Sequence, residues 1–314
     1  MKLAKPFIRL PFNFDANQLA KELSALEERN WLPHPSGMAG NEALPLVSRD
    51  AGDNDDFDGQ MQATAHLDQS QYMRQCMHEI GEVYGRSRLM ALAPGAEVTR
   101  HVDFNYHWHS RVRIHVPVVT NPDVIFYCGD ESVNMTAGSC WIFDSWRHHR
   151  VVNGGQHRRT HLVIDTAGSS RFWNTVQAIV EGEIDLPEPL EFDPATDYRV
   201  MTERHNSAPV MAPGEMHALV EDLLLDLGNN SNNDSATLHA LNSTLRNLVY
   251  DWRALWSQFG STQPGFVHYQ KLLQNTVEQL PKQPRALTTA SNDIGATPIA
   301  MQRIIRAALR PDLL

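Results

Sequence analysis

The chain has 314 residues, of which 42% are hydrophobic and 20% are charged, the composition of a soluble globular protein with a sizeable core. Its formal net charge of −10 argues against nucleic acid or an anionic membrane as the main partner. The 3 cysteines form no CxxC pair, which indicates a reducing compartment and no disulfide framework. No apolar run is long enough for a signal peptide or a membrane span, so we expect a cytoplasmic protein.

The N-terminal region, 1–85, predicts a strand and helices that pack on a following core. PFIRLPF favours a short strand, and the leucine-periodic run after it predicts a helix over 16–29 that begins with a capping box. NEALPLVSRD is interpreted as a packing loop. The acidic stretch 47–60 is interpreted as a solvated turn, because Phe57 stands where a calcium-binding loop needs an oxygen ligand. A second helix is predicted over 69–84.

The region 86–170 has the texture of short strands separated by turns. The strand-like runs are RLMALAP, RVRIHVPVV, DVIFYCG, GSCWIFD, HRVVN and RTHLVIDT. Gly, Pro and Asn recur between them, as is typical of an antiparallel sandwich or barrel. An irregular, proline-bearing linker is predicted over 171–212, and a helical C-terminal region over 213–314. The apolar spacing of that last region indicates core packing or a homodimer contact.

One segment, HVDFNYHWHSRVRIH, concentrates polar side chains on odd-numbered positions between His101 and His115. In an extended strand, residues two apart share a face. A core cannot bury so many polar groups without partners. The face must therefore line a site, meet water, or be interrupted by a turn.

A metal site accounts for part of this pattern. His101 and Asp103 are two apart, so a strand presents an imidazole nitrogen and a carboxylate oxygen side by side. A histidine at the end of a later strand, His149, can supply a third ligand. Two histidines and one carboxylate on one face of an octahedron form the ligand set of non-haem Fe(II) oxygenases. Its neighbour His148 would point to the opposite face of a strand, so only one of the two can join the ligand set.

Arg159 is the candidate that separates an oxygenase from a structural metal site. It alternates with His161 and Val163 on one face of the strand that follows His149. A guanidinium fork in that position can hold the far end of a dicarboxylate. A structural metal centre has no need of such a cation.

The runs LAPGAEVTRHVD, RVRIHVPV, GSCWIFDSWRHHRVVN and RRTHLVID together resemble the aspartyl/asparaginyl β-hydroxylase family of Fe(II)/2-oxoglutarate oxygenases. The resemblance implies a mainly β core folded as a double-stranded β-helix, a cupin-like jelly-roll, with N-terminal helices and an α-helical C-terminal region. It also implies Fe(II), 2-oxoglutarate as cosubstrate and O2, with ascorbate as a reductant.

The resemblance assigns roles residue by residue. His101, Asp103 and His149 match the metal ligands, with His149 rather than His148 fitting the family's spacing from Phe143. Arg159 matches the arginine that binds the distal carboxylate of 2-oxoglutarate. Arg113 and His115 match positions that face the cosubstrate. No catalytic residue is implied beyond the metal ligands. The family's protein-hydroxylating members place a serine where this chain has Met90.

Substrate identity is less constrained by the sequence. The resemblance implies an amino acid, free or carrier-bound, or an Asp/Asn-type side chain in a peptide. His107, His109 and Trp31 are candidate substrate contacts, with a polar loop at the site mouth and a core tryptophan as the alternative interpretations. Two alternative functions remain at this stage: a non-catalytic cupin-like metal-binding or sensor module, and a cupin dioxygenase that does not use 2-oxoglutarate.

Overall fold

A computed structural model describes residues 1–26, 30–35, 37–182, 186–310 and 312. The chain forms two compact units. The first, the β unit, contains Met1–Val102 and Ser110–Asn206. The second, the helical unit, contains Asp103–His109 and Ser207–Leu314.

The β unit is built mainly from antiparallel strands, and the strands expected from alternation are present. Its strands are β1 (Phe7–Asn13), β2 (Leu32–Pro33), β3 (Asn41–Arg49), β4 (Met61–Ala63), β5 (Val83–Leu92), β6 (Glu97–His101), β7 (Val112–Val119), β8 (Val124–Cys128), β9 (Glu131–Val133), β10 (Ser139–Phe143), β11 (His149–Asn153), β12 (Arg159–Thr166) and β13 (Met201–Thr202).

Two sheets divide these strands between them. The larger sheet has the order β1-β10-β7-β12-β5-β3-β2, and the smaller has the order β6-β11-β8-β9. From β5 to β12 the chain passes back and forth between the sheets, which is the path of a jelly-roll. Phe126 of the small sheet packs against Phe143 of the large one, with ring centroids 4.8 Å apart. The expected double-stranded β-helix is confirmed.

A bulge in β6 sets the position of its last residue. His149 pairs with His101 across β11 and β6, and Val151 pairs with Val98, so one extra residue lies on β6 between the two pairs. A bulge lets two residues occupy the place of one, which resets the alternation of side chains. Val98 and His101 are three residues apart, and the bulge puts both on the same face of the small sheet.

The N-terminal helices pack beside the large sheet and are shorter than expected. Helix α1 (Ala16–Ala25) begins after Asp15, whose carboxylate accepts hydrogen bonds from the backbone of Asn17 and Gln18. The expected continuation to 29 lies partly outside the described residues. Helices α2 (Ala65–Gln69) and α3 (Gln71–Ile80) follow, and α3 ends at Gly81, whose φ of 72° is left-handed.

Three expectations about irregular segments are wrong. NEALPLVSRD forms the largely buried strand β3 rather than a packing loop. Pro45 does not prevent this, since a proline removes only one donor from the ladder. The chain is also not irregular directly after 170, because Ser169 caps a helix, α5, over Ser170–Glu181. The middle of HVDFNYHWHSRVRIH contains a short helix, α4 (Tyr106–Ser110), where a loop was expected.

The helical unit contains the C-terminal helices expected from the sequence. They are α6 (Pro213–Gly228), α7 (Ser235–Phe259), α8 (Phe266–Gln279), α9 (Ala296–Ile299), a π-helical turn (Ala300–Ile305) and α10 (Arg306–Ala308). Trp252 of α7 is fully buried and donates to the carbonyl of Met211 at 2.8 Å. Among the described residues, no helix combines the length and apolar character needed to cross a bilayer.

Candidate metal centre

His101 and His149 face each other across β6 and β11. Their ring centroids are 4.2 Å apart. The Nδ1 of His101 lies 2.7 Å from the carbonyl oxygen of Thr99, and the Nδ1 of His149 lies 2.9 Å from that of Arg147. A carbonyl only accepts, so each Nδ1 carries the proton and each Nε2 keeps its lone pair. Both imidazoles are thus held in the tautomer that binds a metal through Nε2.

Asp103 completes a cluster of three possible metal ligands. One ligand atom from each of His101, Asp103 and His149 lies within 4.8 Å of the other two. Asp103 follows His101 by two residues, so chain connectivity keeps the two side chains close. Two nitrogens and one oxygen form a donor set suited to Fe(II). The side chains present fit the metal that the resemblance implies.

Arg159 lies in the interior of the β unit, at the start of β12. Its Nη2 donates to Nδ1 of His161 at 2.8 Å. Nδ1 of His115 lies 3.4 Å from that Nδ1 of His161. Three buried nitrogens of this group have no hydrogen-bond partner within the described part of the chain: Nε of Arg159, Nε2 of His115 and Nε2 of His161. Buried polar atoms without partners are costly. This interior therefore suits a polar ligand such as the 2-oxoglutarate that the resemblance implies.

The electrostatics of this group follow from its burial. Desolvation lowers the pKa of Arg159 to about 9, which leaves the guanidinium charged at neutral pH. Desolvation, reinforced by the charge of Arg159, lowers the pKa values of His115 and His161 well below the usual range. Two neutral imidazoles beside one buried cation leave a local positive charge that an anion would balance.

A second polar group occupies the same interior face, further along the strands. Asp165 of β12 pairs with Arg113 of β7 in the sheet register. Its carboxylate lies 3.6 Å from Nε of Arg86 on β5. Arg88, two residues on, is the cross-strand partner of Val163. Arg86, Arg88 and Asp165 are all buried, and sequence reasoning missed their role because charged side chains are usually exposed.

Asp55 belongs to this second group, although the acidic stretch around it was interpreted as solvated. Its carboxylate bonds to Nη1 of Arg86 at 2.8 Å and to Nη1 of Arg88. The interpretation as a solvated turn is therefore wrong for this residue. A useful signal was present in the sequence, since Arg86 and Arg88 alternate on one face of an otherwise apolar strand and need anions.

The remaining predicted residues are spread over the two units. Trp31 is half-buried in the β unit, with the guanidinium of Arg158 4.1 Å from its ring centroid. His107 is buried and His109 half-buried on α4, in the helical unit, where Nδ1 of His109 lies 4.0 Å from Asp222. Substrate contact by these three residues stays a prediction. Met90 faces His161 across β5 and β12.

The fold and this cluster define a class: a jelly-roll protein with a two-histidine, one-carboxylate centre. Residues 15–168 match the family model described as Aspartyl/Asparaginyl beta-hydroxylase. The matched part of the chain carries the complete cluster of His101, Asp103 and His149. The resemblance seen in the sequence motifs is confirmed.

Solved structures of oxygenases match about half of the chain loosely. An oxidoreductase of the 2OG-Fe(II) oxygenase family from Burkholderia pseudomallei is 15% identical, with a TM-score of 0.37 over 52% of this chain and 85% of that one. A Pseudomonas putida prolyl-4-hydroxylase is 15% identical, with a TM-score of 0.35 over 53% of this chain and 95% of that one. Neither overlay is close enough to assign a role to a residue. A search of curated proteins gave no match.

Proposed function

We propose that the protein is an Fe(II)- and 2-oxoglutarate-dependent hydroxylase of an amino acid, free or carrier-bound, or of an Asp/Asn-type side chain in a peptide. The observation that carries the proposal is the cluster of His101, Asp103 and His149 together with the buried Arg159. The ring of Phe143 links the two groups, with its centroid 4.9 Å from that of His149 and 5.4 Å from that of His115. A metal site alone would have no use for a buried guanidinium beside two neutral imidazoles.

Each residue has a defined part in the proposal. His101, Asp103 and His149 hold the iron, with both histidines oriented by backbone carbonyls. Arg159 binds the distal carboxylate of 2-oxoglutarate, and His115 and Arg113 line the space beside it. When both are bound, Fe(II) and 2-oxoglutarate supply the oxidant that places one atom of O2 in a C–H bond while 2-oxoglutarate becomes succinate and CO2. The protein's contribution is to position the carbon and to exclude water.

The test is succinate formation from 2-oxoglutarate with Fe(II), O2 and ascorbate, together with Mn(II) binding measured in the absence of turnover. Wild-type protein should do both. His149→Ala should lose both, whereas His148→Ala, at the adjacent half-buried residue, should keep both. Protein that binds Mn(II) through His149 and neither binds nor consumes 2-oxoglutarate would be a metal-binding module or a different dioxygenase, and the proposal would be wrong.

A further inference from the structure

The Arg86–Arg88 pair is a second buried cationic group in the β unit, distinct from Arg159. Both side chains point to the interior, with exposed fractions of 2% and 5%. Desolvation lowers the pKa of Arg88 to about 9, so it remains charged at neutral pH. Two adjacent buried guanidinium groups repel each other and require anions for stability.

Two carboxylates serve this pair, and they differ in how they are held. Asp165 is on the central strand β12, where it pairs with Arg113 of β7 in the sheet register. Asp55 is on the connection between β3 and β4, and its side chain is 30% exposed. The fixed carboxylate is a structural partner. The carboxylate on the loop is one that a ligand could replace.

The loop covers the pair through Asp55 and Phe57. The backbone carbonyl of Asp55 accepts from Nη1 of Arg86 at 3.0 Å, and the ring of Phe57 lies 4.0 Å from the same guanidinium. Beyond these residues the loop is anchored to a distant segment, since the backbone N–H of Gly59 donates to Oδ1 of Asn206 at 2.9 Å. Moving Asp55 would therefore uncover the pair from the solvent side.

The pair also lies next to the proposed catalytic interior. Val163 of β12 has Arg88 as its partner on one side and His115 on the other. Directly paired residues on adjacent strands share a face and have Cβ atoms about 5 Å apart. Arg88 and His115 thus stand on one face, separated by a single side chain. A molecule near His115 could place a carboxylate on Arg88.

We propose that the Arg86–Arg88 pair is a carboxylate-binding site, and that Asp55 occupies it until a carboxylate of the substrate takes its place. The proposal rests on the proposed function in one respect, which is that the ligand is taken to be the substrate. Asp55 then acts as an internal competitor: it neutralises the pair in the resting protein and selects for substrates whose acid group binds more tightly than its own.

The first experiment needs neither iron nor 2-oxoglutarate. Asp55→Ala removes the internal carboxylate, and acetate is then titrated against chloride at equal ionic strength while Tm is followed. Acetate should raise the Tm of Asp55→Ala by several degrees. It should leave the Tm of wild type, of Asp55→Ala/Arg88→Gln and of the control Asp56→Ala unchanged, since Asp56 pairs with the partly exposed Arg49 at 3.4 Å. Equal acetate responses in all four proteins would overturn the site.

The second experiment tests the substrate assignment and remains available if Asp55→Ala does not fold. Uncoupled 2-oxoglutarate consumption is measured with aspartate, glutamate and their N-acetyl amides, each against the corresponding asparagine or glutamine compound. Acids should stimulate 2-oxoglutarate consumption by the wild type more than the corresponding amides do. Asp55→Asn should lower the KM for the acid several-fold and leave the KM for 2-oxoglutarate unchanged. An amide equal to its acid, or no response to either, would overturn the assignment.

The two experiments separate the two proposals. An acetate response without any succinate formation would leave the carboxylate site standing and remove the hydroxylase. Succinate formation without an acetate response would do the reverse.

Discussion

Arg159 and the Arg86–Arg88 pair are buried cations on one interior face, yet the groups that surround their charges differ. Arg159 donates to a neutral imidazole, and its Nε has no hydrogen-bond partner among the described residues. The pair instead holds the carboxylates of Asp55 and Asp165. The comparison teaches that burial alone does not identify a ligand-binding arginine. What distinguishes Arg159 is that the described part of the chain supplies no anion for it.

The largest effect should come from removing the carboxylate of Asp165, which lies beside Arg86. Asp165→Asn would leave Arg86, Arg88 and Arg113 with one fewer carboxylate in a buried setting. Breaking a buried ion pair from one side typically costs about 3–5 kcal/mol of unfolding free energy. Denaturant unfolding should show a loss of this size, whereas Asp56→Asn, in an exposed pair, should change stability by less than about 1 kcal/mol. Equal effects would mean that the buried group is not held by charge.

Arg159→Gln should affect ligand binding rather than folding. A hydrogen-bonded ion pair with a ligand carboxylate contributes about 1.5–3 kcal/mol, so the Kd for 2-oxoglutarate should rise about 10- to 100-fold. Arg158→Gln is the matched control, because Arg158 is adjacent in sequence and its own guanidinium is partly exposed and pairs with Glu42 at 2.7 Å. Calorimetric titration of each Mn(II)-loaded variant with 2-oxoglutarate measures the two Kd values. A similar loss in the two variants would contradict the assignment of Arg159.

His161 should contribute less, because it positions Arg159 without holding the ligand's acid group itself. His161→Phe removes the acceptor for Nη2 of Arg159, and we expect the KM for 2-oxoglutarate to rise about 2- to 10-fold. His161→Gln, which retains an acceptor, should lose less. Mn(II) affinity should be unchanged in both variants. A fall in metal affinity instead would place His161 in the support of the metal ligands.

The smallest effect should be a change in the pH dependence of stability. His34 has its pKa lowered from 6.5 to about 4, first by burial and then by the charge of Arg88. The unfolded chain binds the proton first as pH falls, so His34 contributes a loss of stability that develops from about pH 6.5 down to 4. His34→Gln should flatten the fall over that interval and run parallel to wild type above about pH 7. An unchanged slope in thermal unfolding would exclude this contribution.

Much of the β unit could be predicted from the sequence, because alternation and turn residues are local signals. The runs HRVVN and RTHLVIDT coincide with β11 and β12 to the residue. β3 was missed because NEALPLVSRD was interpreted as a packing loop, whereas its pairing with β5 makes it a strand. Long-range pairing of this kind leaves no mark in a short window.

The candidate site divides in the same way. The spacing of His101 and Asp103 and the strand end at His149 were sufficient to predict that the three lie together. The partnership of Asp55 with Arg86 and Arg88 joins distant segments, and each of those segments alone resembles a charged surface. The interaction between His161 and Arg159 was also invisible, because the sequence does not specify which ring nitrogen accepts.

The extra residue in β6 has a consequence for how this gene can vary. In regular pairing from Val98, Arg100 would lie opposite His149, and the bulge places His101 there although the segment is one residue longer. Many single-codon replacements at Thr99 or Arg100 would keep that geometry, since the ligand orientation uses the backbone carbonyl of Thr99 and not its side chain. Loss of either codon would remove the bulge and leave the histidine opposite His149 through regular pairing, on the same face as Val98. Related sequences should therefore tolerate changes of identity in this segment, and those that are one residue shorter should pair regularly and keep the histidine opposite His149.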